Sequence, residues 1–315
     1  MNGQSFHVSY SLYLFLQILQ DERNQDRPWI WVDQLCIDQG NLEEKAIQVR
    51  SMGEIYRRAE ETIMLLGEGH WAGSALATVQ VLVDYAADHL YSRHGDPEGL
   101  DPLKVLDQAQ FMAVDSVFRN AYWERHWVAQ EILVSRHHSR TLWYGKERLD
   151  FDKWRELESL VPMIAPNWPW EPSRPSVKLI SADSHATNDG GFLIWKEAMD
   201  LARSTTCSDL RDKIYGIQSI FDEYLRIEVD YTKSVRDVYL DAVHHYDEKI
   251  QATHVVIQTQ IYEACAYLAV AMGLDVKEDC LDKIRAYVNN EGYVEEATKD
   301  HVRALEKVLG FILQS

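Results

Sequence analysis

The sequence lacks the motifs that mark the commonest nucleotide and hydrolase sites. No G-x-G-x-x-G follows an apolar strand and no G-x-x-x-x-G-K-[ST] occurs, so the dinucleotide and phosphate-loop fingerprints are both missing. H-E-x-x-H and G-x-S-x-G are absent as well. Cysteine is scarce: the four residues at 36, 207, 265 and 280 form no C-x-x-C pair, and no N-x-[ST] sequon exists. That argues against a disulfide framework and for a reduced, cytoplasmic chain. No run of about 18 apolar residues is present, so no transmembrane helix is expected. Met1 to Ser11 has no basic segment followed by an apolar one, so no signal peptide is expected either. Basic residues are in deficit, with 32 Lys and Arg against 50 Asp and Glu, for a formal net charge of -18. Such a surface repels nucleic acid and anionic membranes, and neither is expected as a partner.

Apolar and aromatic residues, by contrast, are plentiful. Hydrophobic residues make up 46% of the 315, with 10 Trp and 16 Tyr, ample for a real core. The densest early stretch is Pro28 to Gln39, PWIWVDQLCIDQ, bounded by Pro28 and by Gly40-Asn41. Its length and near-continuous apolar run predict a strand buried on both faces, the kind found in parallel sheets covered by helices. Asp33, Gln34, Asp38 and Gln39 then fall at or just past its carboxyl end, the edge where open α/β sheets bind ligands. Cys36 reads better as core packing than as a nucleophile.

Around that stretch, Ser9 or Ser11 caps a helix with Leu12, Phe15, Leu16 and Leu19 on one face. Asn41, with Glu44 three residues on, caps a second helix whose stripe is Leu42, Ala46, Val49, Met52, Tyr56 and Ala59. Thr62 to Leu66 is a short strand, Ala75 to Leu90 a helix, and a further helix runs to about Arg119. Arg140 to Tyr144 alternates as a strand. Five of the eight prolines lie between Pro162 and Pro175 and place a boundary there. Beyond it, helices are predicted over Asp189–Arg203, Leu210–Phe221 and Ser234–Asp247, with Ile227 to Tyr231 extended, and three more helices over His254–Ser315 with a stop at Gly273. His137-His138 and His244-His245 are adjacent pairs that cannot share a helix face as metal ligands do, and no metal site is expected.

Four ordered blocks carry a resemblance. Trp31 to Gln39, Gln48 to Ala59 and Thr62 to Gly67 together resemble the core signature of the fungal heterokaryon-incompatibility (HET) domain, W-[IV]-D-x-[IL]-C-I-[ND]-Q followed by Q-V-x-x-M-x-x-I-Y-x-x-A and a strand ending in Leu-Gly. Tyr122 to Ile132 is similar to its W-x-x-R-x-W-V-x-Q-E-I block, Ser208 to Gly216 to its D-x-R-D-K-[VI]-Y segment, and Val229 to Tyr239 to its D-Y-x-K-S-V-x-x-V-Y segment. The family's usual first strand, of the type Y-x-A-L-S-Y-x-W-G, finds no counterpart.

The resemblance implies an α/β fold with a flavodoxin- or TIR-like open, mostly parallel sheet and a helical C-terminal extension. The implied division is an α/β core at 1–161, a Pro-rich linker at 162–187, a second part of the HET-like region at 188–248 and a helical tail at 249–315. It implies a role in nonself recognition and regulated cell death, with self-association or other incompatibility proteins as partners. The distant TIR likeness implies NAD as substrate, with no cofactor required: Glu131 as the catalytic carboxylate, Trp127 as a stacking ring, and Asp33 and Asp38 as positioning groups. The alternative is a non-catalytic module acting through partner binding. The residues alone leave further alternatives open. Glu131 can pair with Arg125 or Arg136 and Trp127 can be core; Asp38 and Gln39 can be turn and cap residues; Asp209 can be a cap; and Arg211-Asp212-Lys213 reads as a structural charge network rather than a phosphate clamp.

Overall fold

The computed structural model describes residues 7–21, 29–90, 106–164, 176, 178–179, 182–183, 195–250, 255–289 and 301–314. The chain divides into two compact units. One comprises Met1–Glu44, Tyr56–Trp123 and Ser135–Pro172; the other comprises Lys45–Ile55, Glu124–Val134 and Ser173–Ser315. Most of the Pro-rich segment predicted over 162–187 lies outside the described residues.

The first unit is mixed α/β. Its sheet has the order β1-β2-β3, from Thr62–Gly67, Arg140–Tyr144 and Glu147–Asp150. β1 and β2 are parallel, with Thr62 opposite Arg140, and β2 and β3 form an antiparallel hairpin. Gly145, at φ 58°, opens the two-residue hairpin turn, a position glycine adopts without strain. Helix α1 (Tyr10–Asp21) starts where the Ser9 hydroxyl accepts from the Leu12 amide at 3.3 Å. Its Leu12, Phe15 and Ile18 cluster with Trp143 of β2, and Ile63 and Leu65 of β1 pack against that cluster. Helices α4 (Ala75–Leu90), α5 (Gln108–Phe118) and α7 (Phe151–Ile164) supply the other part of the core. There α7 packs on β2 and β3, and Trp154 stacks on Trp123 at 6.0 Å and 9°. Buried aromatic pairs of this kind contribute beyond their area alone.

The predicted strand at Pro28–Gln39 does not form. Asp33–Cys36 is instead one helical turn, α2, flanked by extended Val32 and Ile37. The amides of Leu35 and Cys36 donate to the Val32 carbonyl, so the backbone satisfies itself locally where no strand among the described residues pairs with it. Trp29 is fully exposed and Cys36 is exposed, which corrects both the buried-strand reading and the core reading of the thiol. Helix α3 (Leu42–Arg58) follows, capped by Asn41 Oδ1, which accepts from the amides of Glu43 and Glu44 at 3.2 Å each.

The second unit is helical among its described residues. It includes α6 (Val128–Leu133), α8 (Trp195–Ser204), α9 (Asp212–Tyr215) and α10 (Val235–Ile250). The C-terminal helices are α11 (Val255–Ala271), α12 (Cys280–Val288) and α13 (His301–Ile312). Helix α11 packs along α8 and also touches α10, α12 and α13. It stops at Gly273, φ 66°, where the Leu274 amide reaches back to the Ala269 carbonyl at 3.0 Å. The helix predicted over Leu210–Phe221 is broken: α9 ends at Gly216, and Gln218–Ile220 is a separate 3-10 turn.

Candidate functional site

The aromatic block that ends in Glu131 is anchored at both ends. The Thr206 amide donates to the Glu124 carbonyl at 2.6 Å and the His126 amide to the Thr206 carbonyl at 2.8 Å, a short parallel bridge that fixes the entry to α6. Trp127 is the N-cap residue of α6 and its carbonyl accepts from the Glu131 amide, so the two residues stand one turn apart, as the i, i+4 spacing predicts. The Glu131 side chain is 13% exposed and lies 3.9 Å from the guanidinium of Arg125. The indole N–H of Trp127 donates to Asp212 Oδ2 at 3.3 Å.

Asp212 is the centre of what the sequence did not make obvious. It is buried, and its other oxygen accepts from the Tyr231 hydroxyl at 2.6 Å. Burial pushes its carboxyl above the usual range, partly offset by those two donors and by Lys45. Burial, and then the Asp212 charge, drives the Tyr231 hydroxyl far above an ordinary phenol. Beside them Arg211 forks onto Asp209, Nε to Oδ1 at 2.9 Å and Nη2 to Oδ2 at 2.8 Å, while its Nη1 donates to the carbonyls of Tyr231 and Lys233. Burial works against the Asp209 charge, but the hydrogen bonds from Arg211 win and leave its carboxyl below the usual range. Lys45 sits 3.7 Å from Asp209 and 3.8 Å over the Tyr231 ring.

The next residue turns inward. Lys213 is buried, its ammonium donating to the carbonyls of Ala202 and Thr205, and desolvation lowers its pKa. His126 is fully buried against it, with Nδ1 2.7 Å from the Thr205 hydroxyl. That hydroxyl also donates to the Leu201 carbonyl at 2.7 Å, so Nδ1 of His126 carries the proton and donates to Thr205. Burial first, and the Lys213 charge second, push His126 down to about 3. Burial likewise pushes the Cys207 thiol up to about 11, leaving it inert as a nucleophile.

The acidic residues of the first unit do different work. Asp33 Oδ1 accepts from the adjacent Gln34 amide at 2.7 Å, in the first turn of α2. Asp38 Oδ1 accepts from the Gly40 amide at 2.9 Å, and the Asp38 amide donates to Glu44 Oε1 at 3.0 Å. Asp38 is therefore a turn residue that sets the approach to α3. Asp33 and Asp38 belong to one unit, Trp127 and Glu131 to the other. All four paired histidines have separate partners: His137 meets Arg140 at 2.8 Å and His138 Asp152 at 2.7 Å, while His244 meets Glu306 at 2.9 Å and His245 the Tyr224 carbonyl at 2.9 Å. Among the described residues no three His, Cys, Asp or Glu side chains converge as metal ligands.

Lys45 and His126 carried no sequence signal beyond their neighbours. Tyr231 did, since it lies inside the Val229–Tyr239 block that resembles a family motif. Residues 1–131 match the family model for heterokaryon incompatibility protein (HET). This part of the chain is similar to a HET domain. A stretch of 70 residues is 39% identical to heterokaryon incompatibility protein 6, OR allele, of Neurospora crassa, covering 21% of this chain and 10% of that protein. No solved structure matches. The match to the HET model ends at Glu131, yet Trp127, inside it, is bonded to Asp212 well beyond it. No helix among the described residues is long and apolar enough to cross a membrane.

Proposed function

We propose that this HET-like chain acts in fungal nonself recognition and leads to regulated cell death by binding another polypeptide, not by catalysis. The observation that carries the reading is the closed state of the network around Asp212. The ring that a nucleotide would stack on, Trp127, is tied by its N–H to a buried carboxylate. That carboxylate is held by Tyr231, and the neighbouring Arg211 spends its guanidinium on Asp209 and two carbonyls. Glu131 is largely withdrawn from solvent beside Arg125. Side chains fixed in this way support a rigid scaffold better than a substrate cleft. The relative from Neurospora crassa is a heterokaryon incompatibility protein by name, which supports the biological setting.

A second reading keeps NAD cleavage. It is supported by the placement of Trp127 and Glu131 on one helical turn and by the long Arg125–Glu131 separation of 3.9 Å, which a ligand could replace. The parallel β1–β2 pair, with helices between the two strands in sequence, supports a flavodoxin- or TIR-like layout. Expression in a fungal host separates the two readings. Death caused equally by the chain and by Glu131→Ala, with cellular NAD unchanged, agrees with binding. Death and NAD loss that both vanish in Glu131→Ala support the enzyme.

A further inference from the structure

His244 on α10 and Glu306 on α13 meet in a way that requires a proton between them. Nδ1 of His244 is hydrogen-bonded to the Leu240 carbonyl, one turn back on its own helix, at 2.8 Å. Nε2 is hydrogen-bonded to Glu306 Oε1 at 2.9 Å. A carbonyl oxygen accepts and does not donate, so Nδ1 carries a hydrogen. An ionised carboxylate is acceptor-only as well, so Nε2 must carry a second one. Both bonds therefore exist together only when the pair holds one proton more than a neutral ring beside an ionised carboxylate. Imidazole is a stronger base than a carboxylate, so that proton sits on the ring.

The other printed contacts of α13 involve no imidazole. Its buried side is apolar, with Ala304, Leu305, Val308, Leu309 and Ile312. Its far end is held by the Lys277 amide on the Ile312 carbonyl at 2.9 Å, the Lys277 ammonium on the Gly310 carbonyl at 2.6 Å, and the Gln314 amide on the Asp275 carbonyl at 3.1 Å. Arg303 and Lys307 flank Glu306 on α13, and Lys307 lies 4.3 Å over the Tyr287 ring. On α10, Asp241 pairs with Lys233, Asp237 with Ser234 and Glu248 with Lys249, while Asp247 is buried. Among the elements packed on α10, the exposed 3-10 turn Glu223–Leu225 gives its Tyr224 carbonyl to His245, not His244. Asp212 and Lys213 of α9 belong to the network described above, and Glu263 of α11 pairs with Arg285. We propose that His244 and Glu306 form a pH-sensitive clasp on the first half of α13, closed when the extra proton is present and open when it leaves. Histidine is the side chain that changes charge between about pH 5 and 8, so the clasp responds across the neutral range. Without the proton, Nε2 presents a lone pair to the carboxylate, and two acceptors face each other. Glu306 is more than half exposed and swings into water at little cost. The apolar side and the bonds at the far end stay in place, so the stretch that loosens is His301 to Glu306. This goes beyond the binding reading and does not depend on it.

The test is native-state hydrogen exchange of the full chain, read by NMR on either side of neutral pH, at about pH 6 and about pH 8. Each rate is divided by that of an unstructured chain at the same pH, which removes the intrinsic effect of base. Protection of the Leu305, Glu306 and Lys307 amides is expected to fall about two- to fivefold at the higher pH, the range an exposed ion pair supplies. The Leu309 and Ile312 amides, nearer the far end, keep theirs. His244→Gln removes the dependence. In Glu306→Gln the amide group offers its N–H to a neutral ring and its oxygen to a charged one, so protection stays high at both pH values. His301→Gln removes the other imidazole of α13 and leaves the dependence in place. Ring 15N shifts show hydrogen on both nitrogens of His244 when exchange is slow, and on Nδ1 alone when it is fast. Protection that ignores pH in the unchanged chain overturns the proposal. So does a dependence that survives His244→Gln, or one that vanishes in His301→Gln.

Discussion

At Asp212 one buried carboxylate serves two donors, the phenol of Tyr231 at 2.6 Å and the indole of Trp127 at 3.3 Å. An asparagine there has a single carbonyl oxygen, so one donor loses its acceptor. Asp212→Asn is expected to cost about 1–3 kcal/mol in urea unfolding, and Tyr231→Phe a similar amount. Measured together, the two losses add to less than their sum, because they share one interaction. His126 supplies a pH dependence. Its folded value of about 3 lies below the ordinary 6.5, so above pH 6.5 it is neutral in both states and contributes no slope. As pH falls from 6.5 toward 3 the unfolded chain takes up a proton that the folded chain refuses, and stability drops. The full loss is on the order of 5 kcal/mol, and His126→Gln removes that slope between pH 6.5 and 5. Asp209, held low, adds a loss in the same direction at lower pH; Asp212, held high, acts in the opposite sense. The chemistry of these residues was legible as residue types and spacing, but not their partners. Arg211-Asp212-Lys213 reads as a charge network from sequence, whereas the inward turn of Lys213 depends on carbonyls that no side-chain pattern reveals.

Elements show more clearly where a sequence pattern suffices. The bounds of α4 and β2 agree with the apolar periodicity because each holds a regular pattern between strong breaks. The stretch around Trp31 and Leu35 misleads because a short apolar run carries no information about whether a strand lies beside it; without one, its amides close a helical turn instead. β3, Glu147–Asp150, escapes prediction because two of its four residues are acidic and one is basic, and only the Gly145 turn makes it a strand. At α9 the limit is set by packing. A Cβ on Gly216 would lie 2.8 Å from His126 Cδ2 and 2.9 Å from the Asp212 carbonyl, although its φ of -74° is unstrained. Gly216→Ala is therefore expected to lower the free energy of unfolding by about 1–3 kcal/mol through overpacking, seen as a lower midpoint. Gly73→Ala, where a Cβ meets nothing within 4 Å, is expected to leave the midpoint unchanged and serves as the control. Asn41→Ala removes the acceptor of two amides and is expected to cost about 1 kcal/mol, read as fraying of the first turn of α3 by hydrogen exchange.

Across the whole molecule, a chain with net charge -18 meets other macromolecules under long-range repulsion unless they are basic. Under the binding reading proposed above, a domain with that surface is expected to favour a basic polypeptide. Its dependence on partner charge predicts that association weakens steeply as salt rises, measurable by repeating any binding assay between low and physiological ionic strength. The central claim, that the domain works without catalysis, is tested most directly by NAD consumption with the purified chain at high concentration, alongside Glu131→Ala. The account predicts no turnover by either protein, both folded. Turnover by the chain that disappears in Glu131→Ala would contradict it and make Glu131 the catalytic carboxylate.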